Sequence, residues 1–73
     1  AELAADVAIG PYAVVGAGAR IGARTVLEAH VVVGAGTVIG PDCLLHAHVS
    51  VRERCQLGAR VVVQNGAVVG ADG

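Results

Sequence analysis

The chain has very few of the side chains from which an ordinary globular core is built. Its 73 residues include no Phe, Trp or Met, and Tyr12 is the one aromatic residue. A compact core filled by large aromatic groups is therefore excluded. The apolar fraction is nevertheless 55%, so the interior must be narrow enough for small and branched aliphatic side chains to fill it. The length allows one domain at most.

Charged side chains are also few and mixed in sign. Five Arg and six acidic residues give a net charge of −1, and there is no Lys. We therefore expect neither a nucleic-acid groove nor a polybasic membrane patch, and the lack of lysine excludes a Schiff base. No apolar run approaches the ~20 residues of a membrane span. Ser50 is the only serine, and no Ser-His-Asp arrangement is predicted around it.

A strict period of six runs through the chain. Every sixth residue, which we call the anchor, is Ile, Leu or Val, although only 23 of the 73 residues are of these types. The residue after the anchor is Gly in seven of the twelve hexads, and the fifth position of each hexad is small or β-branched. This periodicity predicts a β-solenoid of hexapeptide repeats. The anchors are Leu3, Ile9, Val15, Ile21, Leu27, Val33, Ile39, Leu45, Val51, Leu57, Val63 and Val69.

Three hexads would make one triangular coil of 18 residues, with residues 18 apart stacked at the strand spacing of about 4.8 Å. The chain then forms about four coils, at 3–20, 21–38, 39–56 and 57–73, and each side becomes a short parallel sheet. We expect the glycine after the anchor to lie at the corner, where a positive φ or a close backbone approach is required.

Charges at the fourth position of the hexad support the 18-residue coil. One edge alternates in sign, which favours this register over one that places like charges together. That edge consists of Asp6, Arg24, Asp42 and Arg60, and a second edge consists of Gly18, Gly36, Arg54 and Asp72.

Both cysteines of the chain, Cys43 and Cys55, fall at the fifth position of their hexads. Neither belongs to a Cys-x-x-Cys pair, and no metal ligands accompany them. We interpret them as small core residues rather than as a disulfide.

Four polar side chains are the surface candidates for a site: Glu28, His30, His46 and His48. At the 18-residue spacing, His48 lies above His30. His46 lies above Glu28 in a neighbouring column. Three imidazoles and a carboxylate on neighbouring coils could hold a metal ion, but the side chains of His-x-His and Glu-x-His pairs at a corner diverge easily. We therefore predict no metal site and no cofactor, and interpret these side chains as exposed residues, subunit-interface residues or a substrate contact between subunits.

The hexad of anchor, glycine, two variable residues, a small residue and a last variable residue resembles the repeat of the hexapeptide-repeat acyltransferases. The fold implied by this resemblance is all-β, a left-handed parallel β-helix of about four triangular coils. Residues 63–73, Val-Gln-Asn-Gly-Ala-Val-Val-Gly-Ala-Asp-Gly, are similar to a signature stretch of UDP-3-O-acylglucosamine N-acyltransferase. Residues 45–55 fit the preceding coil of that enzyme, and residues 21–40 resemble the sister enzyme that O-acylates UDP-N-acetylglucosamine.

The resemblance implies a cytoplasmic bacterial homotrimer of lipid A biosynthesis. Such an enzyme moves a hydroxyacyl chain from acyl carrier protein to the 2-amine of a UDP-glucosamine, with a histidine as general base. In the family that histidine lies beyond the Gly-Ala-Asp-Gly stretch, before an Asn. His30 and His48 lack the Asn and lie too early, so no catalytic residue is assigned.

The family's uridine-binding N-terminal domain and helical C-terminal region have no match in these residues. We therefore expect 1–73 to be one solenoid segment of a longer protein, inactive alone. Acyl carrier protein and the UDP-sugar would be partners of the full-length parent only. The start at Ala1 rather than Met agrees with this expectation.

Two further interpretations remain open. A minimal or engineered solenoid used as a building block is favoured by the loop-free frame, and its bare sheet edges would add end to end. The second interpretation is a different member of the superfamily, such as a sugar O-acetyltransferase or a γ-class carbonic anhydrase. The carbonic anhydrase would need three histidines that bind zinc. A homo-oligomer is expected in general, either as a side-by-side trimer or by end-to-end stacking.

Overall fold

The computed structural model describes residues 2–70. Within them it contains twelve two-residue β-strands and no helix, so nothing in this part of the chain could cross a membrane as a helix. Each strand consists of an outward-facing residue followed by the anchor. The strands are β1 (Glu2–Leu3), β2 (Ala8–Ile9), β3 (Val14–Val15), β4 (Arg20–Ile21), β5 (Val26–Leu27), β6 (Val32–Val33), β7 (Val38–Ile39), β8 (Leu44–Leu45), β9 (Ser50–Val51), β10 (Gln56–Leu57), β11 (Val62–Val63) and β12 (Val68–Val69).

The strands form three parallel four-stranded sheets, which are the three sides of a solenoid. Sheet A has the order β1-β4-β7-β10, sheet B has β2-β5-β8-β11, and sheet C has β3-β6-β9-β12. Paired residues are 18 apart in every sheet; Leu3, for example, lies opposite Ile21. The predicted all-β parallel solenoid with 18-residue coils is therefore confirmed, with about four coils of which residues 71–73 lie outside the described part.

Anchors and fifth-position residues fill one continuous interior. The buried apolar residues are Ala19, Ile21, Leu27, Val31, Val33, Ile39, Cys43, Leu45, Val49, Val51 and Val63. Two hydroxyls share this interior, and both are satisfied by the coil above. The Thr25 hydroxyl donates to the carbonyl oxygen of Gly40 at 2.8 Å and accepts from the backbone N–H of Cys43 at 3.2 Å. Thr37 repeats this arrangement one corner away.

The two cysteines occupy the inward fifth position, as their place in the hexad predicts. Both are free thiols, Cys43 buried and Cys55 half-buried. The Cys43 thiol lies 3.1 Å from the carbonyl oxygen of Gly58, in the direction that the Thr25 hydroxyl takes one coil below. Cys43 therefore fills the same small space as a threonine, with a weaker donor.

Of the two predicted reasons for glycine after the anchor, close backbone approach applies to most of these positions, and a positive φ does not. A Cβ added at Gly16 would lie 2.6 Å from the backbone nitrogen of Ala35, and four other such glycines are equally confined by the coil above. Among the described glycines of this position, Gly70 alone has a positive φ.

Within residues 2–70, the chain instead takes a positive φ at the fourth position of every hexad. Values there lie between 55° and 64° for the non-glycine residues, which are Asp6, Tyr12, Arg24, His30, Asp42, His48, Arg54 and Arg60. This conformation costs about 1–2 kcal/mol for an L-residue. From the second coil upward, a backbone hydrogen bond to the coil below accompanies this conformation, such as that from the N–H of Arg24 to the carbonyl of Ala5 at 3.0 Å. The corner turn therefore needs this conformation whatever the side chain.

Candidate functional site at the corner between sheets B and C

The three corners share one backbone but carry different side chains. The corner after sheet A carries the alternating charges, and the corner after sheet C is mostly Gly and Ala in its lower coils. The corner between sheets B and C, which we call the polar corner, holds all four candidate residues. It is formed by residues 10–12, 28–30, 46–48 and 64–66.

Glu28 and His46 form one column of the polar corner. They directly follow β5 and β8, which lie side by side in sheet B, so the 18-residue register places one above the other. Nδ1 of His46 lies 3.1 Å from Oε1 of Glu28, and both side chains are half-buried. A carboxylate that accepts from Nδ1–H leaves Nε2 as the free nitrogen of the ring. The pair can therefore orient an imidazole for hydrogen bonding or proton transfer at Nε2.

Three rings form the second column, which we call the ring column: Tyr12, His30 and His48. The ring centroids of Tyr12 and His30 are 5.1 Å apart with an interplanar angle of 9°. Those of His30 and His48 are 4.8 Å apart at 4°. The three residues have φ values of 62–64°, so the same backbone conformation repeats at each coil and holds the rings parallel. All three side chains are exposed.

The four candidates do not converge on one point. Glu28 and His46 follow the anchor directly, whereas His30 and His48 lie two residues later, on the other side of the corner. No group of three or more His, Cys, Asp or Glu side chains within residues 2–70 could hold a metal ion, and this part of the chain encloses no pocket. The polar corner is an open surface with two separate columns.

The charged column after sheet A, which consists of Asp6, Arg24, Asp42 and Arg60, contains one close ion pair. Nε and Nη2 of Arg24 donate to the two carboxylate oxygens of Asp42 at 2.7 and 3.0 Å. This contact lowers the pKa of Asp42 and raises the pKa of Arg24. The nearby charges of Asp6 and Arg60 act in the same directions. The alternation seen in the sequence therefore produces a bidentate ion pair at its centre.

Other ion pairs were not anticipated from the sequence. Arg20 lies 3.0 Å from Glu2 on the outer face of sheet A, and their 18-residue spacing could have revealed this pair. Arg52 lies 3.6 Å from its neighbour Glu53. A hydrogen bond from its own backbone and the Arg52 charge lower the pKa of Glu53. Of the second predicted edge, Asp72 lies outside the described residues, so its place above Arg54 is not described.

Repeat, register and sheet order together define a hexapeptide-repeat β-solenoid. The family described as bacterial transferase hexapeptide (six repeats) matches residues 1–35 and again residues 36–71. Because these matches cover nearly the whole chain, the chain belongs to the bacterial transferase hexapeptide family. No match was found among curated proteins.

Proposed function

We propose that this chain is a scaffold segment of an acyl-carrier-protein-dependent UDP-3-O-acylglucosamine N-acyltransferase of lipid A biosynthesis, in the bacterial cytoplasm. The observation that carries the proposal is the unbroken transferase hexad frame over residues 1–71, which ends in a stretch resembling that enzyme's signature. The segment supplies a rigid solenoid, and the catalytic coils, the acyl carrier protein site and the UDP-sugar site belong to the rest of the parent protein.

The outer faces of the solenoid support a role in subunit association. Sheet B presents only apolar outward side chains, those of Ala8, Val26, Leu44 and Val62. Sheet A instead presents Glu2, Arg20, Val38 and Gln56, with an ion pair among them. An outer face without polar side chains favours contact with another protein surface. We propose that copies of the chain associate side by side through the sheet B face.

Substitution of Val26 by Glu tests this contact. Val26→Glu places a charge on the sheet B face, and Val38→Glu places the same charge at the equivalent strand position on sheet A. Molar mass is measured by light scattering after size exclusion over a range of concentrations. We expect a species near three chains for the unmodified chain and for Val38→Glu, and a single chain for Val26→Glu, because burying an unpaired charge is costly. Equal effects of both substitutions would contradict a sheet B contact.

Acyl transfer provides the second test. Purified 1–73 should transfer no acyl group from acyl carrier protein to UDP-3-O-acylglucosamine, and measurable transfer would overturn the scaffold assignment. In a chimera, residues 3–70 replace the matching coils of a characterised N-acyltransferase, with its catalytic coils kept. This chimera should retain transfer. A chimera that assembles normally but transfers nothing would contradict the assignment to this enzyme.

A second candidate function, an end-to-end building block, is supported by the alternating charges of the corner after sheet A. This column of charges begins with Asp6 and reaches Arg60 in the last coil. Stacking of one copy on another would continue the alternation of charge. A molar mass that keeps growing with concentration, unaffected by Val26→Glu, would favour this function over the trimeric scaffold.

A further inference from the structure

The ring column has an open place at its upper end. Gly66 occupies the fourth position of the hexad that begins at Val63, directly above His48. Its N–H donates to the carbonyl oxygen of Ala47 at 3.2 Å, as the N–H of His48 donates to that of Ala29 at 3.1 Å. Gly66 has φ +78°, and a Cβ added to it would meet nothing within 4 Å. The backbone of the column therefore continues for one more coil, while its rings end at His48.

The upper face of the His48 ring is accordingly free to stack. His48 is exposed, and Gly66 places no side chain over it. Flat rings stack on one another in offset parallel geometry, which the two lower steps of the column already adopt at 5.1 and 4.8 Å. A planar ligand above His48 would become the fourth ring of an existing stack.

One amide residue adjoins this place in the sequence. Asn65 directly precedes Gly66 and is exposed, whereas Gln64 continues the column of Glu28 and His46. A primary amide offers both a donor and an acceptor, so Asn65 can match a ring whose edge carries both kinds of group. Nucleobases have such edges, and proteins bind unpaired bases by stacking on aromatic or imidazole rings and hydrogen bonding along the edge.

We propose that the top of the ring column binds the nucleobase of a mononucleotide. The base would stack on His48 in the space that the missing side chain of Gly66 leaves open, with Asn65 at its edge. The site requires only the single chain and the ring column, and so goes beyond the proposed scaffold function. The nucleobase site and the sheet B contact can fail independently, because no residue is shared between them.

Backbone amide spectra of the labelled chain test the site at neutral pH. Adenosine monophosphate and uridine monophosphate are added at millimolar concentrations, with ribose 5-phosphate as the control that lacks a base. We expect saturable shifts at His48, Asn65 and Gly66 with both nucleotides, larger with the purine because it covers more of the imidazole. Ribose 5-phosphate should cause no such shifts. Equal shifts with ribose 5-phosphate, or none with either nucleotide, would overturn the proposal.

Substitutions at Gly66 separate ring stacking from backbone effects. Gly66→His would continue the ring column in a backbone conformation that Tyr12, His30 and His48 already adopt, and its ring would occupy the ligand's place. We expect this variant to lose binding. Gly66→Ala imposes the same backbone strain but adds no ring, and it should still bind. Binding that survives in Gly66→His, in a variant whose circular dichroism matches the unmodified chain, would overturn the proposal.

Removal of the platform gives an independent measurement. His48→Ala should weaken binding at least about fivefold, the lower end of what one stacked base contributes. His46→Ala serves as the matched control, because His46 lies in the other column and contacts Glu28. Equal affinities of His48→Ala and the unmodified chain would contradict stacking on this ring.

Discussion

The middle of the solenoid and its first coil are made of the same hexads but differ in what they bury. Leu45 is 0% exposed, whereas Leu3, an anchor in the same kind of strand, is 51% exposed. The difference is that Leu45 has a coil on each side, and Leu3 has a coil on one side only among the described residues. A single coil therefore does not bury its own anchor. Burial in this fold comes from stacking, as in other repeat proteins.

Truncation of the two leucines should give the largest contrast between these regions. Leu45→Ala removes a fully buried side chain and should lower the free energy of unfolding by about 2–5 kcal/mol. Leu3→Ala should cost less than about 1.5 kcal/mol, because half of its side chain stays in water in the folded state. Urea denaturation followed by circular dichroism measures both. Equal losses would mean that the first coil is as well packed as the middle ones.

The corner glycines should give the second largest contrast. Gly22 and Gly58 follow equivalent anchors of sheet A, but a Cβ on Gly22 would lie 2.5 Å from the nitrogen of Pro41, and one on Gly58 would meet nothing within 4 Å. Gly22→Ala should therefore cost about 1–3 kcal/mol through overpacking. Gly58→Ala should be neutral or stabilise by up to about 1 kcal/mol, because it restricts the unfolded chain. Thermal melts measure both variants. A lower melting temperature for Gly58→Ala than for Gly22→Ala would show that close backbone approach does not determine which corner positions require glycine.

The smallest expected effect concerns the ion pairs. Because Arg24 holds the pKa of Asp42 below its ordinary value, the pair's contribution to stability is complete above about pH 4. It is lost as the pH falls through the lowered pKa. The urea midpoint of Asp42→Asn should therefore lie slightly below that of the unmodified chain at pH 7, and the two should converge in more acidic solution.

Glu2→Gln provides the matched measurement in the first coil. The Arg20–Glu2 pair has one short contact and more exposed side chains than Arg24–Asp42, so solvent screens it more strongly. The urea midpoint at pH 7 should therefore fall less for Glu2→Gln than for Asp42→Asn.

A difference in urea midpoint between Asp42→Asn and the unmodified chain that persists unchanged at pH 3 would show that the effect does not come from the carboxylate charge.

Most of the fold could be predicted from the sequence because one short-range rule repeats. The pairing of Leu3 with Ile21 follows from the hexad period and the choice of three hexads per coil, and the sheets obey it. The conformation of the corners could not be predicted so well. Glycine after the anchor indicates close backbone approach. The positive φ falls two positions later, where Gly, Asp and His give a partial signal for it, but also on Arg24 and Tyr12, which give none.

The sequence predicted which residues of the candidate site lie above one another, but not which of their side chains are in contact. Register alone places His48 over His30 and His46 over Glu28. The parallel stacking of the rings and the 3.1 Å contact of His46 with Glu28 depend on side-chain torsions that the repeat does not specify. The two columns stay apart because their residues occupy the second and fourth positions of the hexad, on opposite sides of the corner.

The constant spacing of 18 residues between paired strands also governs how such a chain can fold. Every coil closes a loop of the same length, so the entropy lost at each closure does not grow as the protein lengthens. The first two coils to pair are the slow event, since neither offers the other an ordered template. Each later coil adds to an existing edge, and folding spreads along the axis from wherever it started. A longer solenoid of this type would gain stability with each coil without becoming a slower folder.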